Sequence, residues 1–346
     1  MKSIAQYSAR TAYDPQCFVD VDLPDPIPGD FDLLVEIEAV SVNPADARVR
    51  MRKTDDGHPK ILGYDAAGRV RAVGSAVKGF SPGDLVWYAG DLDRAGTNAE
   101  LHLVDHRIAA HRPGSLSASE AASLPLTLLT AWELLIDKMG LKPDQPRHHE
   151  SILIINGAGG TGSMMIQIAR LVPGLTVIAT ASRPETKSWC ENMGAHHVLD
   201  HRADMAAQLD QLGIETVDQI VLLAAPDKHF PTAAGIVAPF GAIGCIVPFD
   251  NPPDMNLLMG KSASFHWEFM FARPRLGGEK SARQGEILTT ATDLVQSGRL
   301  RSTLARTLSP LSSETVRTAH ELIESGQTIG KIAITKNLIN QENKND

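Results

Sequence analysis

The sequence predicts an α/β protein built from a compact β-barrel and a doubly wound parallel sheet. Three observations predict it. Residues 1–125 break into short apolar strands bounded by Gly and Pro. From Ser151 onward, apolar strands alternate with helix-length segments, the pattern of a parallel sheet with crossover helices. Between the first such strand and its helix lies a glycine-rich loop, Asn156-Gly-Ala-Gly-Gly-Thr-Gly162.

In the first part, Val19–Asp30 carries Pro and Gly punctuation before the strand Leu33–Val42. Further strands are expected at Gly68–Gly74 and Leu85–Tyr88, with turns at Gly79, at Ser81–Asp84 and at Gly90. The character changes at Ser117. Ser117 and Glu120 have capping-box spacing, and the helix that follows, Ala121–Leu135, is interrupted by Pro125. After the polar linker 142–150, strands are expected at Ile152–Asn156, Thr176–Thr180, His197–Leu199, Gln219–Leu223 and Gly241–Ile246. Helices are expected over Met164–Leu171 and Thr186–Met193, among others. Helices and a closing strand, Gly330–Thr335, end the chain, and the return of short β elements points back to the first part. The tail after Lys336 is polar and expected to fray.

Composition narrows the function. The 346 residues suit two moderate domains. A formal charge of −8, with no run of Lys and Arg, argues against a nucleic-acid partner. No apolar stretch approaches the roughly 20 residues that span a bilayer, so no membrane association is expected. The N-terminus lacks the apolar core of a secretory signal, and Cys17, Cys190 and Cys245 are widely spaced. A reducing cytoplasm is the expected location.

The glycine loop carries the strongest chemical signal. The run Ser151–Asn156 leads into its glycines and a helix-forming segment follows, which is the context a dinucleotide fingerprint requires. Gly157 is read as the tight turn and Gly159 as the point where backbone approaches the pyrophosphate. Gly162 is read as the point of close helix packing. Gly160 and Thr161 complete the cradle, and the helix N-terminus offers free N–H groups to phosphate. The bland reading is a glycine-rich loop without ligand. NAD sites place an acid at the end of the second strand, but here that strand ends Thr180-Ala-Ser-Arg183. Arg183 and Ser182 are instead suited to a 2′-phosphate, so NADPH is the expected cofactor. Ser182-Arg-Pro-Glu185 also reads as a capping box with Ser182 as N-cap.

Several ordered motifs give the chain a family resemblance. They are Ser41-Val-Asn-Pro-Ala-Asp46, Gly63-Tyr-Asp-Ala-Ala-Gly68, Gly79–Val86, Leu124–Leu135, the glycine loop, Gly194–Asp200 and Ser264–Phe271. Together they resemble the medium-chain dehydrogenase/reductase superfamily, in particular its zinc-independent quinone oxidoreductase branch, often labelled zinc-type alcohol dehydrogenase-like. The resemblance implies a GroES-like barrel from residues 1–125 and 272–346 and a Rossmann domain over 126–271. It also implies an active-site cleft at their junction and a homodimer. The implied activity is NADPH-dependent reduction of quinones or activated C=C bonds, with a quinone or enone as the small-molecule partner.

Carried over residue by residue, the resemblance sets Asn43 and Asp46 on the family's Asn-x-x-Asp near the nicotinamide. Asn43 and Tyr64 stand where zinc enzymes carry a catalytic Cys and His, with Tyr64 and Asp65 in the places of a His-Glu pair. Thr130 matches a threonine beside the cofactor, and His201 replaces a tyrosine that flanks the adenosine. Arg48 stands where relatives often have a tyrosine, a departure that bears on substrate preference.

No metal is expected. The adjacent pairs His148-His149 and His196-His197 do not converge as zinc ligands must. A conjugated carbonyl accepts hydride without a strong Lewis acid but benefits from a donor aimed at its oxygen. Tyr64 is the first candidate for that donor, with packing in the vacated metal space as the competing reading. Asn43 is expected to orient substrate or nicotinamide. His266 and Trp267 either line the pocket or belong to a strand at a subunit interface. A zinc-dependent alcohol dehydrogenase and a nucleotide-binding sensor without turnover are the alternatives.

Overall fold

The computed structural model describes residues 1–336. It divides the chain into two compact units. One comprises Met1–Leu126 with the segment from Phe271 onward, and the other comprises Thr127–Met270. The expectation of a frayed tail after Lys336 lies outside the described residues.

The first unit opens with β1 (Lys2–Gln6), β2 (Val19–Asp22), β3 (Asp32–Val42), α1 (Pro44–Arg50), β4 (Lys60–Ile61) and β5 (Asp65–Val73). It continues with β6 (Leu85–Ala89), β7 (Leu101–Asp105), β8 (Ala109–His111) and α2 (Ala118–Ala122), and the boundary falls within α3 (Pro125–Trp132). The second unit contains β9 (Ser151–Ile155), α4 (Gly160–Ala169), β10 (Thr176–Thr180), α5 (Pro184–Met193) and β11 (His197–Leu199). After these come α6 (Met205–Gln211), β12 (Val217–Leu222), α7 (Pro226–Ile236), β13 (Val237–Cys245) and β14 (Ser264–Trp267). The chain then re-enters the first unit with α8 (Ala272–Leu276), α9 (Ala282–Gln296), β15 (Leu304–Leu308), α10 (Ser313–Glu324) and β16 (Lys331–Thr335).

In the second unit the strand order is β11-β10-β9-β12-β13-β14, and every neighbouring pair is parallel. This is the doubly wound order in which the chain starts at the centre, runs one way and then returns to run the other. Strand β9 is buried on both faces, which explains its unbroken apolar run rather than an alternating one. Leu153, Ile155, Ile178, Ile220, Leu222, Phe230 and Ile243 belong to one core cluster.

The first unit holds a mixed sheet ordered β15-β16-β3-β5-β6-β8, with β7 also paired to β3, and a small sheet β2-β1-β4. Strand β3 alternates half-buried and buried residues as far as Ala39, after which its last residues are all buried. The C-terminal β16 pairs antiparallel with β3, Ile332 opposite Val42, so the two ends of the chain share one sheet. Val35, Ile37, Val40, Val70, Val86, Ile332 and Ile334 belong to its core.

The helix interruption at Pro125 has a simple cause. Helix α2 ends at Ala122, and α3 starts with Pro125, where a missing N–H costs nothing and the fixed φ suits a first turn. Ser117 and Glu120 cap α2 reciprocally. Helix α1 was not foreseen. The continuation of α3 as a π-helical turn over Glu133–Lys138 was not foreseen either. Among the described residues, no helix is long and apolar enough to cross a membrane.

Candidate active site

The glycine loop sits at the C-terminal end of β9, at the centre of the parallel sheet. Asn156, and not Gly157, takes the left-handed backbone, with φ of 70°. This corrects the assignment of the tight turn to Gly157. Gly157 is required for a different reason, because a Cβ there would lie 2.8 Å from the Ala179 side chain. At Gly162 a Cβ would fall 2.6 Å from the backbone of Gly157, so close helix packing accounts for this glycine. Gly159, the N-cap of α4, faces open space, with no atom within 4 Å of an added Cβ. Two glycines are therefore demanded by protein neighbours, and the third leaves backbone uncovered at a helix mouth. Gly160 and Thr161 are half-buried in the first turn.

The loop is tied to the neighbouring strand. Asn156 N–H donates to Thr180 Oγ1 at 2.9 Å, and Gly157 N–H donates to the Thr180 carbonyl at 3.0 Å. The same hydroxyl meets His201 Nδ1 at 3.1 Å, which fixes that ring beside the ends of β10 and β11. Partial burial lowers the His201 pKa from its ordinary value. Ser182 and Arg183 follow β10, so the residues expected to read the nucleotide gather at adjacent strand ends, where this fold presents its crevice.

Ser182 is not the N-cap of α5. Pro184 occupies the first helical position, which makes Arg183 the cap, and its N–H donates to Thr186 Oγ1 at 3.1 Å. The Ser182 carbonyl instead accepts from the Arg202 guanidinium, itself paired with Asp200 at 3.0 Å. Arg183 pairs with Glu185 at 3.2 Å and keeps a third of its side chain exposed. Arg202 was missed by sequence reading, since a single exposed arginine after a short strand carries no pattern.

In the first unit, Asn43, Asp46, Tyr64 and Asp65 are brought together and are all buried. Asn43 caps α1, and Asp46 reaches back to accept the Asn43 N–H at 2.8 Å while also accepting the Gly63 N–H at 3.1 Å. The Asn-x-x-Asp pattern is thus half of a capping box, with its carboxylate placed favourably at a helix start. Burial raises the Asp46 pKa to about 7, against the two N–H bonds and Lys331, which lower it.

The amide of Asn43 is committed at both ends. Nδ2 donates to Asp65 Oδ2 at 2.8 Å, and Oδ1 accepts from Lys331 Nζ at 2.6 Å. Its polar atoms thereby hold the protein frame, and a second Nδ2 N–H and a second Oδ1 lone pair are what the amide has left for a ligand. Asp65 also accepts from Ser41 Oγ at 2.9 Å and from the Leu126 N–H at 2.7 Å. That last bond satisfies one of the orphan donors at the start of α3. Thr130 lies further along the same helix and is 6% exposed. Lys331 was not singled out in the sequence, where it reads as one polar residue opening an apolar strand.

Tyr64 lies between these anchors. Its ring meets Phe271 edge-on at 4.7 Å, and its hydroxyl has no hydrogen-bond partner among the described residues. Burial, followed by the carboxylates of Asp46 and Asp91, pushes the phenol pKa above its ordinary value, so it is a neutral O–H donor. Arg48 is exposed on α1. His266 and Trp267 lie on β14, the edge of the parallel sheet, where Trp267 packs against Phe249 and Phe265. Among the described residues, no group of three or more His, Cys, Asp or Glu is placed to hold a metal ion.

Comparison with known proteins agrees with this architecture. Residues 29–117 match the alcohol dehydrogenase GroES-like domain, and residues 193–334 match the zinc-binding dehydrogenase domain. The chain is 42% identical over 310 residues to a zinc-type alcohol dehydrogenase-like protein of Staphylococcus aureus, covering 89% of this chain and 92% of that one. It belongs to the medium-chain dehydrogenase/reductase superfamily. Within that superfamily of oxidoreductases, a structure from Rhizobium etli, provisionally described as a zinc-dependent alcohol dehydrogenase, superposes with a TM-score of 0.92 at 43% identity. That match covers 98% of this chain and 99% of the other. An NADPH-dependent alkenal/one oxidoreductase of Arabidopsis thaliana chloroplasts is 33% identical over 221 residues, covering 61% of this chain and 55% of that protein.

Proposed function

We propose that this oxidoreductase is an NADPH-dependent reductase of quinones or activated C=C bonds that works without a metal. The observation that carries the reading is Tyr64, a buried neutral phenol with an uncommitted hydroxyl, which the motif resemblance aligns with a zinc ligand of the superfamily's zinc enzymes. The alkenal/one relative supports the same substrate class and the same cofactor.

The second unit suits a dinucleotide. Gly159 leaves backbone open at the mouth of α4, and no acid stands at the end of β10 to select a free 2′-hydroxyl. Ser182, Arg183 and His201 would hold the adenosine side, and Gly157–Gly162 the pyrophosphate. Bound NADPH supplies a hydride. As a conjugated carbonyl gains that hydride at carbon, its electron pair moves to oxygen, and the Tyr64 O–H is the donor that meets the growing charge. Protonation of that oxygen or of the adjacent carbon then completes the reduction, with water resupplying the proton to Tyr64.

The residues of the first unit do not fit a catalytic zinc. Asn43 has both amide ends engaged, Asp65 is bonded to an ammonium, and the raised pKa of Tyr64 disfavours the phenolate a metal would take. Following NADPH absorbance against quinones, enals and simple aldehydes, with and without chelator, tests the reading. Turnover of enals or quinones unaffected by chelator is expected; turnover of aldehydes alone, abolished by chelator, overturns it.

We propose a homodimer as well. Strand β14 leaves one edge of the parallel sheet without a further strand among the described residues, and Trp267 there is 49% exposed. Light scattering on the purified chain checks this, and a monomer at micromolar concentration rejects it.

A further inference from the structure

Lys331 opens β16 and is almost fully buried, which is unusual for a lysine. Its ammonium donates to the Val42 carbonyl at 2.8 Å, to Asn43 Oδ1 at 2.6 Å and to Asp65 Oδ2 at 3.3 Å. Three N–H donors therefore meet three acceptors. Burying an ammonium is unfavourable unless it is paired and bonded. A methionine of similar length would fill the same space without that desolvation, so volume alone does not account for a charge here.

The acceptors indicate what the charge does. Val42 and Asn43 end β3 and start α1, while Asp65 starts β5. Gly63 and Asp65 flank Tyr64, and each is anchored: the Gly63 N–H to Asp46, the Asp65 carboxylate to Lys331, Ser41, Asn43 and Leu126. The Tyr64 carbonyl accepts from the Gly90 N–H at 2.9 Å. With no bond on the phenol itself among the described residues, its aim is set by this backbone frame and by the edge contact with Phe271.

We propose that Lys331 is a positioning residue for Tyr64, acting through Asp65 and Asn43. The catalytic consequence rests on the reading of Tyr64 as the donor given above, whereas the positioning itself does not. Lys331 fixes the Asp65 carboxylate, that carboxylate fixes the start of β5, and the phenol one residue earlier is held in a single orientation.

Carbon NMR of protein labelled at tyrosine Cζ reads this directly. The chain has four tyrosines, and Tyr64→Phe assigns the Tyr64 signal. In Lys331→Met the Tyr64 resonance is expected to move or split. The Tyr88 resonance should stay in place, since the Tyr88 hydroxyl is held by His102 at 3.0 Å, and it thereby reports an intact fold. Should Lys331→Met not fold, the charge-neutral pair Lys331→Met with Asp65→Asn is measured the same way with the same expectation.

Kinetics then tests the consequence. Lys331→Met should lower kcat by about 10-fold with the KM for NADPH within about twofold, and should cause no further loss when combined with Tyr64→Phe. An unmoved Tyr64 resonance overturns the positioning, as do equal losses of kcat with and without the Tyr64→Phe substitution. A moved resonance together with full activity in Tyr64→Phe supports the positioning and rejects the donor reading.

Discussion

The glycine loop after β9 and the Gly63–Asp65 segment achieve order by opposite means. In the loop, the local geometry depends on atoms left out: Gly157 and Gly162 make room for their neighbours, and Gly159 leaves backbone bare. Around Tyr64, the local frame depends on atoms brought in from afar, since Lys331 lies 266 residues from Asp65 in the chain. A site made by local omission tolerates no added side chain. A site made by remote pairing tolerates no lost charge.

Removing a charge should give the largest effect. Asp65→Ala leaves the Lys331 ammonium buried and unpaired, and a loss of about 3–5 kcal/mol is expected in urea unfolding. A loss below about 1 kcal/mol would mean that the pair is not a structural hub. The same region predicts a pH dependence. Burial raises the folded pKa of Asp46 to about 7 from its ordinary value near 4. Between those two values the native state binds more protons than the unfolded chain, so stability falls as pH rises through that window. The expected fall is on the order of a few kcal/mol, and thermal midpoints measured from about pH 4 to 8 should decline less steeply in Asp46→Asn. A parallel decline in both proteins counts against it.

The loop predicts smaller effects of a different kind. Gly162→Ala meets immovable backbone and should cost roughly 1–3 kcal/mol by denaturation. Gly159→Ala meets nothing in the protein, so its stability should be unchanged while the KM for NADPH rises. Equal stability losses in the two variants would erase the distinction drawn between these glycines. Arg183→Ala should raise the KM for NADPH about 10-fold or more, as expected for a lost charge-assisted bond, and leave that for NADH nearly unchanged. Smallest of all, Ser182→Ala should alter stability by less than about 0.5 kcal/mol, since Ser182 does not cap α5.

The contrast also explains what could be read from the chain alone. Strand β9, the glycine loop and α4 were legible because local pattern dictates them: a doubly buried strand, glycines at fixed spacing, a helix N-terminus. The capping box at Ser117 was legible for the same reason. Ser182 has capping-box spacing to Glu185, but the preference of Pro184 for the first helical position overrides that spacing and makes Arg183 the cap. Helix α1 leaves little trace in the sequence because its seven residues are too few to show a helical apolar period. Lys331 was invisible because its meaning depends on β16 pairing with β3, and no local pattern records which distant strand a lysine will face. The same holds for Arg202, whose place beside Ser182 follows from β11 pairing with β10.

The sharing of one sheet by both chain ends has a consequence for how the molecule is made. Ribosomal synthesis delivers β3, α1 and β5 early, and the continuous second unit can close its own parallel sheet while the rest is still being translated. Strand β16 emerges after all the others described, and with it the ammonium bonded to Asp65. Until then the nascent first unit carries an uncompensated carboxylate at the heart of its site and an unpaired edge on β3. Pairing β16 with β3 is a long-range closure, the slow kind of event that exposes a young chain to chaperones.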